Sequence, residues 1–152
     1  ENEKCFLDEE TQIQEYMNDM LSVIKNDYFE DGIQSRSENY IIENFNESTS
    51  DLIKKALMRL YHDNVSDSHI LTGILLMIGS VPYSKIEPEG PIMALGLLQN
   101  VDISIRDRAI QAFERWNSKK GLSVLRSLKC DRKWLQRYVD KVIKYIEKDG
   151  ID

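Results

Sequence analysis

Three stretches of this chain open in the same way. Asp67-x-x-Ile70-Leu71-x-x-Ile74-Leu75 aligns with Asp102-x-x-Ile105-Arg106-x-x-Ala109-Ile110 and with Asp131-x-x-Trp134-Leu135-x-x-Tyr138-Val139, at offsets of 35 and 29 residues. In each, an acid stands where a carboxylate can accept from the free N–H groups of a first helical turn. Paired apolar positions one turn apart then build a face wide enough to touch two neighbours. Apolar residues recur at helical spacing almost throughout, without a convincing alternating strand, so the chain is expected to be all-α.

The same spacing places the helices. The first is expected over Glu9–Phe29, with Ile13, Tyr16, Met17, Met20, Leu21, Ile24 and Tyr28 on one stripe and Glu30-Asp31-Gly32 ending it. A short helix follows from Ser37, turning Tyr40, Ile41 and Phe45 inward. Asp51–His62, Ser66–Gly79, Pro91–Gln99, Ser104–Trp116, Gly121–Lys129 and Asp131–Lys148 then read as three helical pairs. At 152 residues, with only 3 Pro and 7 Gly, the chain reads as one domain spanning 1–152.

The stretch Asp102-Ile103-Ser104-Ile105-Arg106-Asp107-Arg108-Ala109-Ile110-Gln111-Ala112-Phe113 resembles the second helix of a HEAT repeat, and Pro91–Gln99 resembles its partner. The resemblance covers residues 51–148 and implies a short α-solenoid of HEAT-like helical pairs, with the acidic helices of residues 9–46 as its N-terminal cap. It also implies a ladder of Asp and Arg between adjacent repeats. Leu71 and Leu135 occupy the Arg position here, so only Asp102 and Arg106 are equipped to take part. An irregular helical bundle with ordinary amphipathic spacing is the competing architecture.

Charge is divided by position. Residues 1–100 hold 7 Lys/Arg against 18 Asp/Glu, a net of −11, whereas residues 101–152 hold 13 against 8, a net of +5. A domain acidic at one end and basic at the other has a directional field that selects and orients partners. The longest apolar run, Ile70 to Val81, is too short to span a bilayer. Cys5 and Cys130 read as reduced thiols, which favours the cytoplasm as the expected compartment.

No residue pattern announces catalysis. His62 and His69, with Asp63 and Asp67 between them, offer the only metal-like spacing, and they fall short of a closed four-ligand shell. Glu9/Glu10, Glu30/Asp31 and Glu87/Glu89 read as solvated surface rather than as tuned acid–base pairs. Neither a nucleophile elbow nor a phosphate-cradling glycine loop is present. The expectation is therefore a non-enzymatic protein without metal or cofactor.

Three segments are candidates for binding. Asp27, Glu30, Asp31, Glu38 and Glu43 form the acidic set. Ser80–Gly90 presents Tyr83, Ile86, Glu87 and Glu89 in a long connection, read either as a contact element with an aromatic anchor or as a linker packed back on the stack. The third is the basic C-terminal stretch from Arg106 to Lys148, where Trp116, Trp134, Tyr138 and Tyr145 are interleaved. Because Arg106, Arg126 and Lys141 fall on different helix sides and Trp116, Trp134 and Tyr138 fit an inward stripe, the spacing favours core aromatics over a nucleic-acid surface.

A small acidic helical protein without an active site is similar in profile to bacterial toxin-immunity proteins. That similarity implies a stoichiometric inhibitor whose acidic surface occupies a basic toxin domain, such as a nuclease. The rival expectation is a HEAT-like nucleic-acid-associated protein or scaffold adaptor that uses the basic C-terminal helices. Neither reading involves a membrane.

Overall fold

The computed structural model describes residues 2–152, with side chains from residue 8 onward. The described residues are all-helical: α1 (Asn2–Lys25), α2 (Arg36–Asn44), α3 (Ser50–Asp63), α4 (Ser68–Gly79), α5 (Tyr83–Ile86), α6 (Glu89–Leu97), α7 (Ile103–Trp116), α8 (Leu122–Ser127) and α9 (Lys133–Asp149). A 3-10 turn, Lys119–Gly121, leads into α8.

Packing follows two rows of neighbours. Along one row α1 meets α3 and α3 meets α6; along the other α2 meets α4, α4 meets α7 and α7 meets α9. Consecutive helices α1/α2, α3/α4, α6/α7 and α8/α9 join the rows. α4 is central, which explains its composition: Ile70, Leu71 and every residue from Gly73 to Gly79 are buried. A helix apolar all round needs cover all round. Gly73 is required there, since a Cβ at this position would lie 2.6 Å from the side chain of Ile24 on α1. The helices nearer the ends are one-sided. α9 buries Leu135, Val139, Val142 and Ile146, whose spacing returns them to a single stripe.

Local chemistry sets the helix starts. Asp67 accepts from the Ile70 amide (3.1 Å) and Asp102 from the Ser104 amide (2.9 Å), both as expected of helix-opening acids. Asp131 behaves differently. Arg132 holds the position before α9 without a side-chain bond, and the Asp131 carboxylate instead accepts from Arg106 Nη1 at 3.1 Å. Asp102 also accepts from Ser68 Oγ at 2.9 Å. Neighbouring helical pairs are thus tied by Ser68–Asp102 and Arg106–Asp131.

Several boundaries depart from the spacing-based expectation. α1 stops at Lys25 rather than Phe29, because Asn26 folds back to donate to the Ser22 carbonyl (2.8 Å) and Asp27 turns toward α2. Tyr28 therefore leaves the inward stripe and is exposed. Gly32 does adopt a left-handed φ of +79°, but inside the following loop and not as the helix cap. The connection after α4 is partly helical: α5 forms one turn over Tyr83–Ile86, and α6 begins at Glu89. Pro91 fits inside α6 because first-turn N–H groups have no intrahelical acceptor. α8 ends at Ser127, two residues short of Lys129. Cys130 is a free thiol, whereas the side chain of Cys5 lies outside the described residues.

Candidate binding surfaces

The acidic residues of the first third part company in the structure. Asp27 is structural: its carboxylate accepts from the Ser37 amide and hydroxyl, both at 2.7 Å, and from the Tyr28 amide at 2.8 Å. Burial pushes its pKa up, but these bonds outweigh that and hold the carboxyl below its ordinary value. Glu38 is 7% exposed and closes a capping box with Ser35. Asp31 and Glu30 remain exposed in the α1–α2 loop, and Glu43 is exposed on α2. Glu30 and Glu38 border a cavity of about 210 Å³ with Arg108 and Arg115, whereas Glu43 faces a different one with Tyr40 and Val23, of about 360 Å³. The five acids do not share one surface.

Part of the charge division is consumed inside the molecule. Asp31 pairs with Arg108 (3.1 Å), Glu38 with Arg115 (3.4 Å) and Glu87 with Lys120 (3.2 Å). Arg115 also donates to Ser80 Oγ at 3.1 Å, so one guanidinium joins α2 to the end of α4. Acids of the N-terminal half are in this way matched to cations of the C-terminal third.

The Ser80–Gly90 segment is packed inward. Ile86 is 0% exposed and belongs to the core, so it is unavailable to a partner. Tyr83 lies edge-on to Trp116 at 5.5 Å, with the Lys120 ammonium 5.7 Å from its ring centre. The Glu87 carbonyl accepts from Lys54 Nζ at 3.2 Å, and Glu89 stands 4.0 Å from the same ammonium. Of the two expectations for this segment, the geometry matches the connection that packs back. What remains open beside it is a groove of about 410 Å³ that includes Ile42, Phe45, Pro82 and Lys85.

The outward faces of the end helices carry the signal that sequence reading missed. On α1, Asp8, Glu15 and Asp19 are exposed opposite Ile13, Met17, Met20 and Ile24, within an arc of about 40° at 100° per residue. Glu9 and Glu10, one step round, are spent on Lys55 and Arg59 of α3. With Glu43 on α2, three acids of α1 make an acidic outer face that joins none of the ion pairs among the described residues. Their spacing of seven and four residues was the available clue. At the other end, the inward placement expected for Trp134 is wrong: it is 46% exposed, while Trp116 is buried and donates to the Ile78 carbonyl at 2.9 Å.

The histidines do not converge. His62 is exposed beside Asp63, and His69 donates from Nε2 to the Ile24 carbonyl (2.7 Å) with its ring 4.8 Å from Phe29. No cluster able to hold a metal ion occurs among the described residues. Tyr138 donates to Glu114 at 2.7 Å, and burial together with that carboxylate raises its pKa. Burial pushes the Cys130 thiol up, which lowers its thiolate content. No helix of the described residues is long and apolar enough to cross a membrane. No protein-family model matches this chain, and neither a curated protein nor a solved structure was found to match it.

Proposed function

We propose that the protein is a non-catalytic binding module that captures a basic protein through the outer face of α1 and α2. The observation that carries this reading is the row Asp8, Glu15 and Asp19, exposed together with Glu43 while neighbouring acids are tied down. An unpaired acidic face speeds encounter with a cationic partner and sets its orientation. On this reading the helical pairs stack as a short HEAT-like solenoid whose first pair is both end cap and docking face. The most concrete role is that of a cytoplasmic immunity protein or antitoxin that occupies the basic surface of a bacterial toxin.

The test is capture of a partner from the source cell's lysate, followed by calorimetric titration of any basic protein retained, with the wild type and with Glu15→Lys/Asp19→Lys. The expected result is a 1:1 complex that weakens by at least about tenfold on reversal and loses affinity as salt rises. Equal affinity for both forms would remove the acidic-face assignment.

A further inference from the structure

The outward face of α9 is as one-sided as that of α1, with opposite sign. Lys133, Arg137, Lys141, Lys144 and Lys148 fall within about 80° of one another at 100° per residue, opposite the buried Leu135, Val139, Val142 and Ile146. All five are exposed, and none joins an ion pair among the described residues. The acids on one flank are engaged: Glu147 by Arg126 (2.8 Å) and Asp140 by Gln136 (3.1 Å). On the other flank stand Trp134, 46% exposed, and Tyr145, 48% exposed. Beside Tyr145 and Lys141 an open cleft of about 550 Å³ runs to Glu114, Arg115 and Ile151.

A charged outer face alone is what any end helix needs for solubility. Two half-exposed aromatic rings beside a stripe of five cations are not explained that way, since each leaves apolar ring surface in water. We infer that the α9 face binds single-stranded nucleic acid, with the five cations along the phosphates and Trp134 and Tyr145 offering ring faces to unstacked bases. The cations recur about every 6 Å over a length of about 22 Å, which a flexible strand can follow phosphate by phosphate. A duplex keeps its bases stacked and gives the rings nothing to do. A bilayer would need an apolar helix face, and that of α9 is spent on the core. This inference is independent of the α1–α2 reading, because it concerns the other end of the molecule.

The probe is a fluorescently labelled 12-nucleotide oligothymidylate, titrated with the full chain at low salt and followed by anisotropy and by Trp emission. Binding is expected to quench Trp134 and to weaken with salt at a logarithmic slope of about −3.5, from roughly 0.7 for each of five neutralised phosphates. Arg137→Glu/Lys141→Glu/Lys144→Glu should weaken it more than about a hundredfold, and Trp134→Ala by about five- to a hundredfold. Arg137→Gln/Lys141→Gln/Lys144→Gln serves as a second variant with smaller perturbation, with helix content and melting checked for all. The inference is overturned by no binding at low salt, or by indifference to either triple variant. A duplex of equal length binding more tightly overturns it too. So does a neutral Trp134→Ala with poly-glutamate competing as well as the oligonucleotide, since the face would then be a general anion exchanger.

Discussion

The two ends of the helical rows solve one problem in different ways. Both present a polar face to water opposite a buried stripe. On α1 and α2 the tyrosines are drawn in, although Tyr28 in the loop between them is exposed: Tyr16 and Tyr40 pack against the core, and burial with the nearby Asp19 carboxylate pushes the Tyr40 pKa up to about 12. At the α9 end Trp134 and Tyr145 stay half in water. The acidic end also lends charge inward, through Glu9 and Glu10 to α3, whereas the α9 stripe keeps all five of its cations outward. Net charge by sequence segment therefore overstates how evenly the two ends are charged. What differs is how much of each sign is left facing solvent.

Truncating the buried side of each end gives the largest expected effects. Ile24→Ala and Ile146→Ala each remove a fully buried side chain and should cost about 2–5 kcal/mol by urea denaturation. Ile24 also fills the space over Gly73, so its loss should lie at the higher end of that range. A smaller cost at Ile24 would show that the α1 end collapses around cavities more readily than the α9 end.

Next in size is the link between the halves. Arg115→Met keeps the packing of the stem and removes the cation, leaving Glu38 buried with only its capping-box bond. The expected loss is about 1–2 kcal/mol, because a largely desolvated carboxylate loses its counter-charge. Asp31→Ala breaks the parallel pair with Arg108 at an exposed acid and should cost less than about 0.5 kcal/mol. Equal effects for the two would show that burial of Glu38 plays no part.

The smallest effect is pH-dependent. Bonds from the Ser104 and Ser68 side chains hold the Asp102 carboxyl below its ordinary 3.8. The folded state therefore prefers the ionised form, and this stabilisation is full above that value and fades as pH falls through the lowered one. Asp102→Asn should lie closest to wild type at the acid end of a pH series of melting temperatures and fall behind as pH rises toward 5. A gap independent of pH would mean that the carboxylate's charge is not what ties α4 to α7.

Helix identity was legible because burial imposes it locally. Ile53, Ala56, Leu57 and Leu60 announce their stripe by spacing alone, and Asp67 and Asp102 announce their caps by position. Less legible was any feature decided by a distant partner. Asp131 looks like the other two acids in sequence, yet Arg106, 25 residues away, claims its carboxylate. Ile86 sits in a polar, proline-bounded stretch and is nonetheless core, because α5 folds it under α6. Trp134 precedes Leu135 in sequence but stands about 100° round α9 from it, outside the buried stripe, and so stays in solvent. The acidic candidates were chosen by density along the chain, and density does not reveal which residue a neighbour neutralises.

Arg108 and Arg115 each meet an acid 77 residues earlier in the chain, whereas most of the packing joins helices adjacent in sequence or one step removed. Contacts of such span close large loops, and their entropic cost falls due only after the local pairs have formed. They are accordingly expected to tighten on the native side of the folding barrier, where a lost interaction quickens unfolding and leaves the folding rate alone. In stopped-flow measurements Arg115→Met should steepen nothing and shift only the unfolding limb. The two arginines would then act as a latch on lifetime, holding a chain whose assembly is otherwise a neighbour-by-neighbour affair.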